Sequence, residues 1–245
     1  MKKLIIIVVL YTLSHSVYAQ SPDEGVPPLL LGIGGGVQFA WHSGAITTYE
    51  GAYECCTFAD GTGAGLVLGA RGIFHLSGPF SLRAGIGMER HDGEFSSVRL
   101  AYPMLSSANS IEYVDLDEAL DTRLSTLTLE AEMQYLVLSP GLYLSAGPAL
   151  HIPLTREWTH TTTITSPSDV RFLDGSTSRT LVDGEIPDAS PWLSLRLGAG
   201  ALLPVTRGMY VNPEVLYSIA LSNVRTASSW SVAGFQITLG MYVGL

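Results

Sequence analysis

The chain ends in Phe235-Gln236-Ile237-Thr238-Leu239-Gly240-Met241-Tyr242-Val243-Gly244-Leu245. Phe235, Ile237, Leu239, Met241, Val243 and Leu245 share one parity; Gln236, Thr238, Gly240, Tyr242 and Gly244 share the other. Period-two alternation marks a strand with unlike faces. One face here is continuously apolar and the other is small or polar-tipped. That division suits the wall of a closed barrel in lipid, apolar side outward. A soluble sandwich shows the same alternation, so the rest of the chain decides.

Working backwards, seven further segments alternate in the same way, at about 31–42, 64–76, 80–90, 124–137, 142–152, 192–205 and 209–221. Three tight turns join them in pairs: Ser77-Gly78-Pro79, Ser139-Pro140-Gly141 and Thr206-Arg207-Gly208. The remaining connections are long: Ser43 to Gly63, His91 to Arg123, Leu154 to Pro191 and Ser222 to Ser231. Short and long connections therefore alternate, and every long one falls at the same end. The fold expected is all-β: an eight-stranded antiparallel up-and-down transmembrane β-barrel with short periplasmic turns and long extracellular loops. Thr159 to Thr165 is rich in β-branched residues, so its strand is expected to run on past the membrane. Pro148 and Pro213 fall mid-strand, where each removes a ladder donor, and are expected at bulges.

The amino terminus supplies an address. Lys2 and Lys3 precede the apolar run Leu4 to Leu10, and Val17-Tyr18-Ala19 offers a small-residue cleavage site. Residues 1–19 read as a secretory signal peptide, 20–30 as a short periplasmic segment, and 31–245 as the barrel domain. The first apolar run is too short to span a bilayer, and no later run reaches the ~20 apolar residues that a transmembrane helix needs. Without Lys2 and Lys3 the balance of 13 basic and 22 acidic residues becomes 11 and 22, or −11. Such a chain does not seek nucleic acid. Cys55 and Cys56 are adjacent, so they cannot staple distant segments. In an oxidising compartment they are expected to join each other or a partner.

The parity opposite the apolar one defines the lumen. It carries Arg71 and His75, Arg83 and Glu89, Glu130, Glu132 and Gln134, His151, Arg196 and Glu214, with glycines filling much of the remainder. Charges in a narrow interior are costly unless paired. Arg71, Arg83, Glu89, Glu130, Glu132, Arg196 and Glu214 are therefore expected to form an ionic plug, because eight strands leave room for little beyond side chains. A gated ion or solute path is the alternative.

Asp115, Asp117, Glu118 and Asp121 make an acidic knot in a long connection. It reads as a solvated loop rather than a cation site, since its spacing departs from an EF-hand loop. His42-Ser43 and His91-Asp92 at the outer rim offer the residue types used by small barrels that remodel lipid A. Nothing in the spacing fixes a nucleophile, base and orienting group. No catalytic set, metal site or cofactor is expected, and the chain is expected not to be an enzyme.

Leu142-Tyr-Leu-Ser-Ala-Gly-Pro148, Gly198-Ala-Gly-Ala-Leu-Leu-Pro204, Val211-Asn-Pro-Glu-Val-Leu-Tyr217 and Leu221-Ser-Asn-Val224 resemble, in that order, the last four strands of the PorT-like outer-membrane β-barrel family. In size the barrel is similar to OmpX and the OmpA membrane domain. The resemblance implies an eight-stranded barrel in the outer membrane. Its expected partners are the lipid bilayer, lipopolysaccharide and the outer-membrane assembly machinery. The role expected is membrane integrity or surface interaction through four loops whose ligand the sequence does not name. The rivals are a small-solute or secretion-associated channel and a lipid A-modifying enzyme.

Overall fold

The computed structural model describes residues 27–50, 53–105, 110–138, 141–226 and 228–245. The expected signal peptide, most of the segment 20–30, and Ser139 and Pro140 of the second turn lie outside them.

The described strands are β1 (Leu29–Glu50), β2 (Tyr53–His75), β3 (Phe80–Arg90), β4 (Gly93–Leu105), β5 (Ile111–Leu138), β6 (Leu142–Ser166), β7 (Ser178–Glu185), β8 (Trp192–Ala201), β9 (Leu203–Thr206), β10 (Met209–Ala220) and β11 (Ser231–Gly244). Eight of them close into an antiparallel ring, β1–β2–β3–β5–β6–β8–β10–β11. The ring is sealed by β1 against β11, from Leu30 opposite Gly244 to Ser43 opposite Ser231. β4 continues β3 beyond His91-Asp92 and keeps the same two neighbours, β2 and β5. β9 likewise continues β8 along β10, and β7 lies along the outer half of β6.

Two of the four long connections, 43–63 and 91–123, are corrected: they are not loops in the main but strand extensions. In the third, 154–191, β6 runs on through Thr159 to Thr165 as the β-branched run indicates, and β7 joins it. β1 and β2 stay paired as far as Glu50 and Tyr53. β4 and β5 pair out to Leu105 and Ile111, and β5 and β6 out to Asp115 and Ser166. A barrel strand crosses a membrane in about 9–11 residues, whereas β5 has 28. The barrel therefore stands well clear of the bilayer on one side.

The physical reason lies in the parity of β5. Inside the membrane its outward residues are Leu127, Leu129, Ala131, Met133 and Tyr135, and its buried ones are Thr128, Glu130, Glu132 and Gln134. Beyond Ser125 the outward residues are Arg123, Asp121 and Asp117, and the buried ones are Leu124, Leu120 and Leu116. Lipid outside has given way to water, so the apolar residues change sides. The expected acidic knot is corrected for the same reason. Asp117 and Asp121 face outward, whereas Glu118 is buried, so the carboxylates do not converge.

An exposed belt of large apolar side chains circles the lower barrel, including Ile33, Phe39, Leu68, Ile86, Leu144, Leu197, Val215 and Ile237. Aromatic pairs mark its two rims, Trp41 with Tyr217 at the outer rim and Phe80 with Tyr135 at the inner one. The membrane-spanning segments thus run to about Trp41 on β1 and Met88 on β3. The two mid-strand prolines are not at bulges. Pro148 stands opposite Leu195 and Pro213 opposite Leu239 with no shift of register. A bulge does occur at Cys55, where the pairing steps from Thr48–Cys56 to Tyr49–Glu54, and Cys55 is disulfide-bonded to Cys56.

Candidate functional site

All seven charged residues assigned to the lumen are buried, and they meet in one network. Arg71 donates from Nε to Glu130 at 2.6 Å and from Nη1 to Glu214 at 3.3 Å. Arg83 donates to Glu132 at 2.5 Å and, through its other terminal nitrogen, to Glu214. Arg196 donates to Glu130 and to Glu89. Each guanidinium thus bridges two carboxylates through charge-assisted hydrogen bonds, a stronger class than neutral ones. Three Arg against four Glu leave the cluster one negative charge in excess.

Glycine makes the room. A Cβ at Gly85 would lie 2.6 Å from Glu130 Oε1 and 3.0 Å from Arg71 Cγ. The backbone of β3 can therefore press against that ion pair only without a side chain there.

Neutral residues that the sequence reading left out complete the network. The Tyr143 hydroxyl donates to Glu214 at 3.0 Å and receives Asn212 Nδ2 at 2.9 Å. Gln236 Nε2 donates to Glu89 at 3.1 Å and to Gln38 Oε1 at 2.9 Å. These residues all lie on the inward parity, so the pattern that found the charges also contained them. His75 and Gln134, expected in the lumen, sit lower; His75 meets Ser81 at 2.7 Å rather than the charge network.

The network is one of several buried layers inside the barrel. Below it, toward the short turns, Leu30, Ile73 and Tyr242 pack together. Above it come His91, His151 and Trp192, with the His151 and Trp192 rings stacked at 5.0 Å. Phe58, Phe95, Leu120, Leu124, Trp158 and Trp230 then form an apolar core that lies outside the membrane. Higher still, Glu118 accepts from His160 at 2.9 Å and from Thr162 at 3.0 Å, and Arg99 reaches the same carboxylate. Burial opposes ionisation of Glu118, but the His160 and Arg99 contacts outweigh it and hold its pKa below the usual carboxylate range. Burial pushes the His42 imidazole down to about 4, so it is neutral. Val114, Leu116, Ile164 and Val170 close the top.

The rim pairs weighed for catalysis are not brought together. His42 points inward, where Nδ1 accepts from Trp230 at 3.1 Å and Nε2 donates to the Asp92 carbonyl at 3.0 Å. Ser43 points outward to Ser231. The Asp92 carboxylate pairs with Arg90 at 2.7 Å, not with His91.

At the outer tip, a cleft of about 390 Å³ is lined by residues that include Arg99, Tyr102, Phe172, Asp174 and Arg179. Around it Leu100, Ile111, Tyr113 and Leu173 are strongly exposed.

No protein-family model matches the chain, and no curated protein matches it in sequence. Among solved structures it is similar to Neisserial surface protein A, at 12% identity over 91% of this chain and 100% of that one, TM-score 0.38. It is similar to the outer membrane protein AlkL in lipid bilayers, at 13% identity over 92% and 93%, TM-score 0.39. It is also similar to the outer membrane protease OmpT of Escherichia coli, at 10% identity over 92% and 100%, TM-score 0.37. The expectation that the chain is not an enzyme is corrected here. A protease stands among the barrels it is similar to, so that exclusion does not follow from the architecture. The strand pairing, not these likenesses, establishes the fold. The chain is an eight-stranded antiparallel β-barrel with an apolar outer belt.

Proposed function

We propose that this protein is a sealed outer-membrane barrel that carries a rigid β-structured platform outside the cell for contact with an extracellular partner. The observation that carries this reading is the filling of the interior in successive layers, from Tyr242 at the base to Val114 at the top. A conducting barrel needs a continuous wet path, and an eight-stranded one has little width to spare. Here the width is taken by guanidinium–carboxylate pairs and then by tryptophan and phenylalanine rings.

The platform reading rests on the strand extensions and on the apolar side chains at their tip. Leu173 is 94% exposed and Leu100 73% exposed, far above the lipid belt. Exposed apolar residues clustered outside a membrane mark a contact surface. The PorT-like resemblance of β6 to β10 fits the same reading, as does a role in membrane integrity.

Trypsin applied to intact cells tests the platform. Arg171 is exposed in the 167–177 connection and should be cut, whereas Arg99 and Arg123 lie in paired strands and should be spared. Arg207 belongs to a short turn and should be shielded on the inner side. Cutting at Arg207 alone would invert the topology. Rapid cutting at Arg99 and Arg123 would remove the rigid platform.

A further inference from the structure

We propose that Glu89, His91 and His151 form a binding site for one divalent transition-metal ion of the zinc type inside the barrel. This goes beyond the sealed-barrel reading and stands or falls independently of whether the lumen conducts.

Two imidazoles and a carboxylate are the donor set that zinc and its neighbours favour. Glu89 Oε2 lies 3.4 Å from His91 Nε2 and 3.7 Å from His151 Nδ1, and the three donor atoms lie within 4.8 Å of one another. Bonds of about 2.0–2.1 Å in a tetrahedron place neighbouring donors about 3.3–3.4 Å apart. The two Glu89 distances lie within a few tenths of an ångström of that spacing, and the two imidazoles, within 4.8 Å of each other, close on the ion by turning their rings.

His91 supplies a second and independent observation. It is 4% exposed, and its Nε2 makes no hydrogen bond although it faces Glu89. A buried ring nitrogen without a hydrogen-bond partner is costly, and a metal ion satisfies it.

The other ring atoms are already oriented. His151 Nε2 meets the buried Ser194 hydroxyl at 2.9 Å. His91 Nδ1 meets the side-chain amide nitrogen of Gln38; metal binding at Nε2 requires Gln38 to turn its oxygen to Nδ1 and give up its contact with Gln236. The far nitrogen of each ligating histidine thus has an outer partner, the arrangement that fixes tautomer and ring direction. Arg196 holds the other oxygen of Glu89, and Oε2, which accepts from Gln236 Nε2 at 3.1 Å, keeps further lone-pair capacity for a metal. Glu89 is itself the carboxylate by which the ion network exceeds its three arginines, so the negative charge at the site is the ligand's own. Thr128 Oγ1, 3.2 Å from His151 Nδ1, would give way or occupy the fourth position.

The other cluster of possible donors, Cys55, Cys56, Glu118 and His160, serves as a contrast. Its sulfurs are joined to each other, and among its nitrogens and oxygens none is left without a partner as His91 Nε2 is.

The test is refolding of the full chain in detergent with cobalt(II) as the probe, since the apolar core above the site restricts later entry. After gel filtration, wild type should hold one cobalt per chain, with the visible absorption of a four-coordinate N/O site, and zinc should displace it. His91→Gln and His151→Gln should each weaken binding at least about tenfold, whereas His160→Gln should not change it. Heat-dependent gel migration verifies that each variant has formed its barrel. Wild type that emerges free of cobalt, or His91→Gln and His151→Gln that bind like wild type, would overturn the proposal. Should those variants fail to fold, X-ray absorption on cobalt-loaded wild type decides: two imidazoles in the first shell support the site, and none refutes it.

Discussion

Arg83 on β3 and Glu214 on β10 are joined across the full width of the barrel. Their strands stand four places apart in a ring of eight, so the pair connects opposite walls. Arg83 is completely buried and Glu214 is 2% exposed. Such a contact braces the wall as well as neutralising charge.

Removal of Glu214 leaves two guanidinium groups, Arg71 and Arg83, short of a carboxylate. Breaking one side of a buried ion pair costs about 3–5 kcal/mol. Glu214→Ala should therefore lower the unfolding midpoint in detergent strongly. Arg83→Met alone should also destabilise, and the double variant should lose less than the sum. A double-mutant cycle measures the difference, and strict additivity would mean that the two residues do not act as a pair.

The lipid belt makes a second prediction. Leu197 and Ile237 point outward at mid-height, 42% and 48% exposed. An Arg at either position should cost about 2–4 kcal/mol and impair insertion into vesicles. Gly198, one residue along, faces the lumen, where even a Cβ would lie 2.5 Å from Leu216 Cδ2 and from Ser145 Oγ. Gly198→Ala should thus destabilise by crowding, with no dependence on lipid. Normal insertion of Leu197→Arg into bilayers would mean that the outward parity is wrongly assigned.

The strand and lumen pattern was legible in the sequence because it follows from one rule, apolar to lipid and polar to the interior. Phe80–Arg90 has the bounds that its alternation indicates, and Arg71, Arg83 and Arg196 all fall on the inward parity. The rule stops where lipid stops. Along β5 the apolar side changes at Leu124 to Leu127, so a search for one constant apolar face reads everything above as loop. Leu116, Leu120, Trp158 and Trp230 were therefore invisible as a core. Asking for alternation of either sign would have recovered the extension of β5. Which Arg meets which Glu was not legible, because it depends on the ring order and relative heights of strands far apart in the chain.

Acid should weaken the outer half of the barrel through His42. Its folded pKa, about 4, lies below the ordinary value of 6.5. The unfolded chain then binds more protons between these values, so stability falls as pH drops from about 6.5 to about 4. A shift of this size corresponds to about 3 kcal/mol at the acid end. Glu118, whose pKa is lowered, adds its own loss only when pH falls below the usual carboxylate value. Unfolding midpoints across this range should slope in wild type. The slope should be shallower above pH 4.5 in His42→Gln, even though that variant is less stable overall. An equal slope in both proteins would remove His42 from the account.

Conductance across a planar bilayer tests the central claim most directly. With the network of Arg71, Arg83, Arg196 and their four carboxylates below, and the tryptophan core above, the folded wild-type barrel should show no steady open state. The same preparation must show heat-dependent gel migration, so that silence is not mistaken for absence of protein. A large, steady, ion-selective conductance in wild type would contradict the sealed interior and turn the charged layer into the lining of a pore.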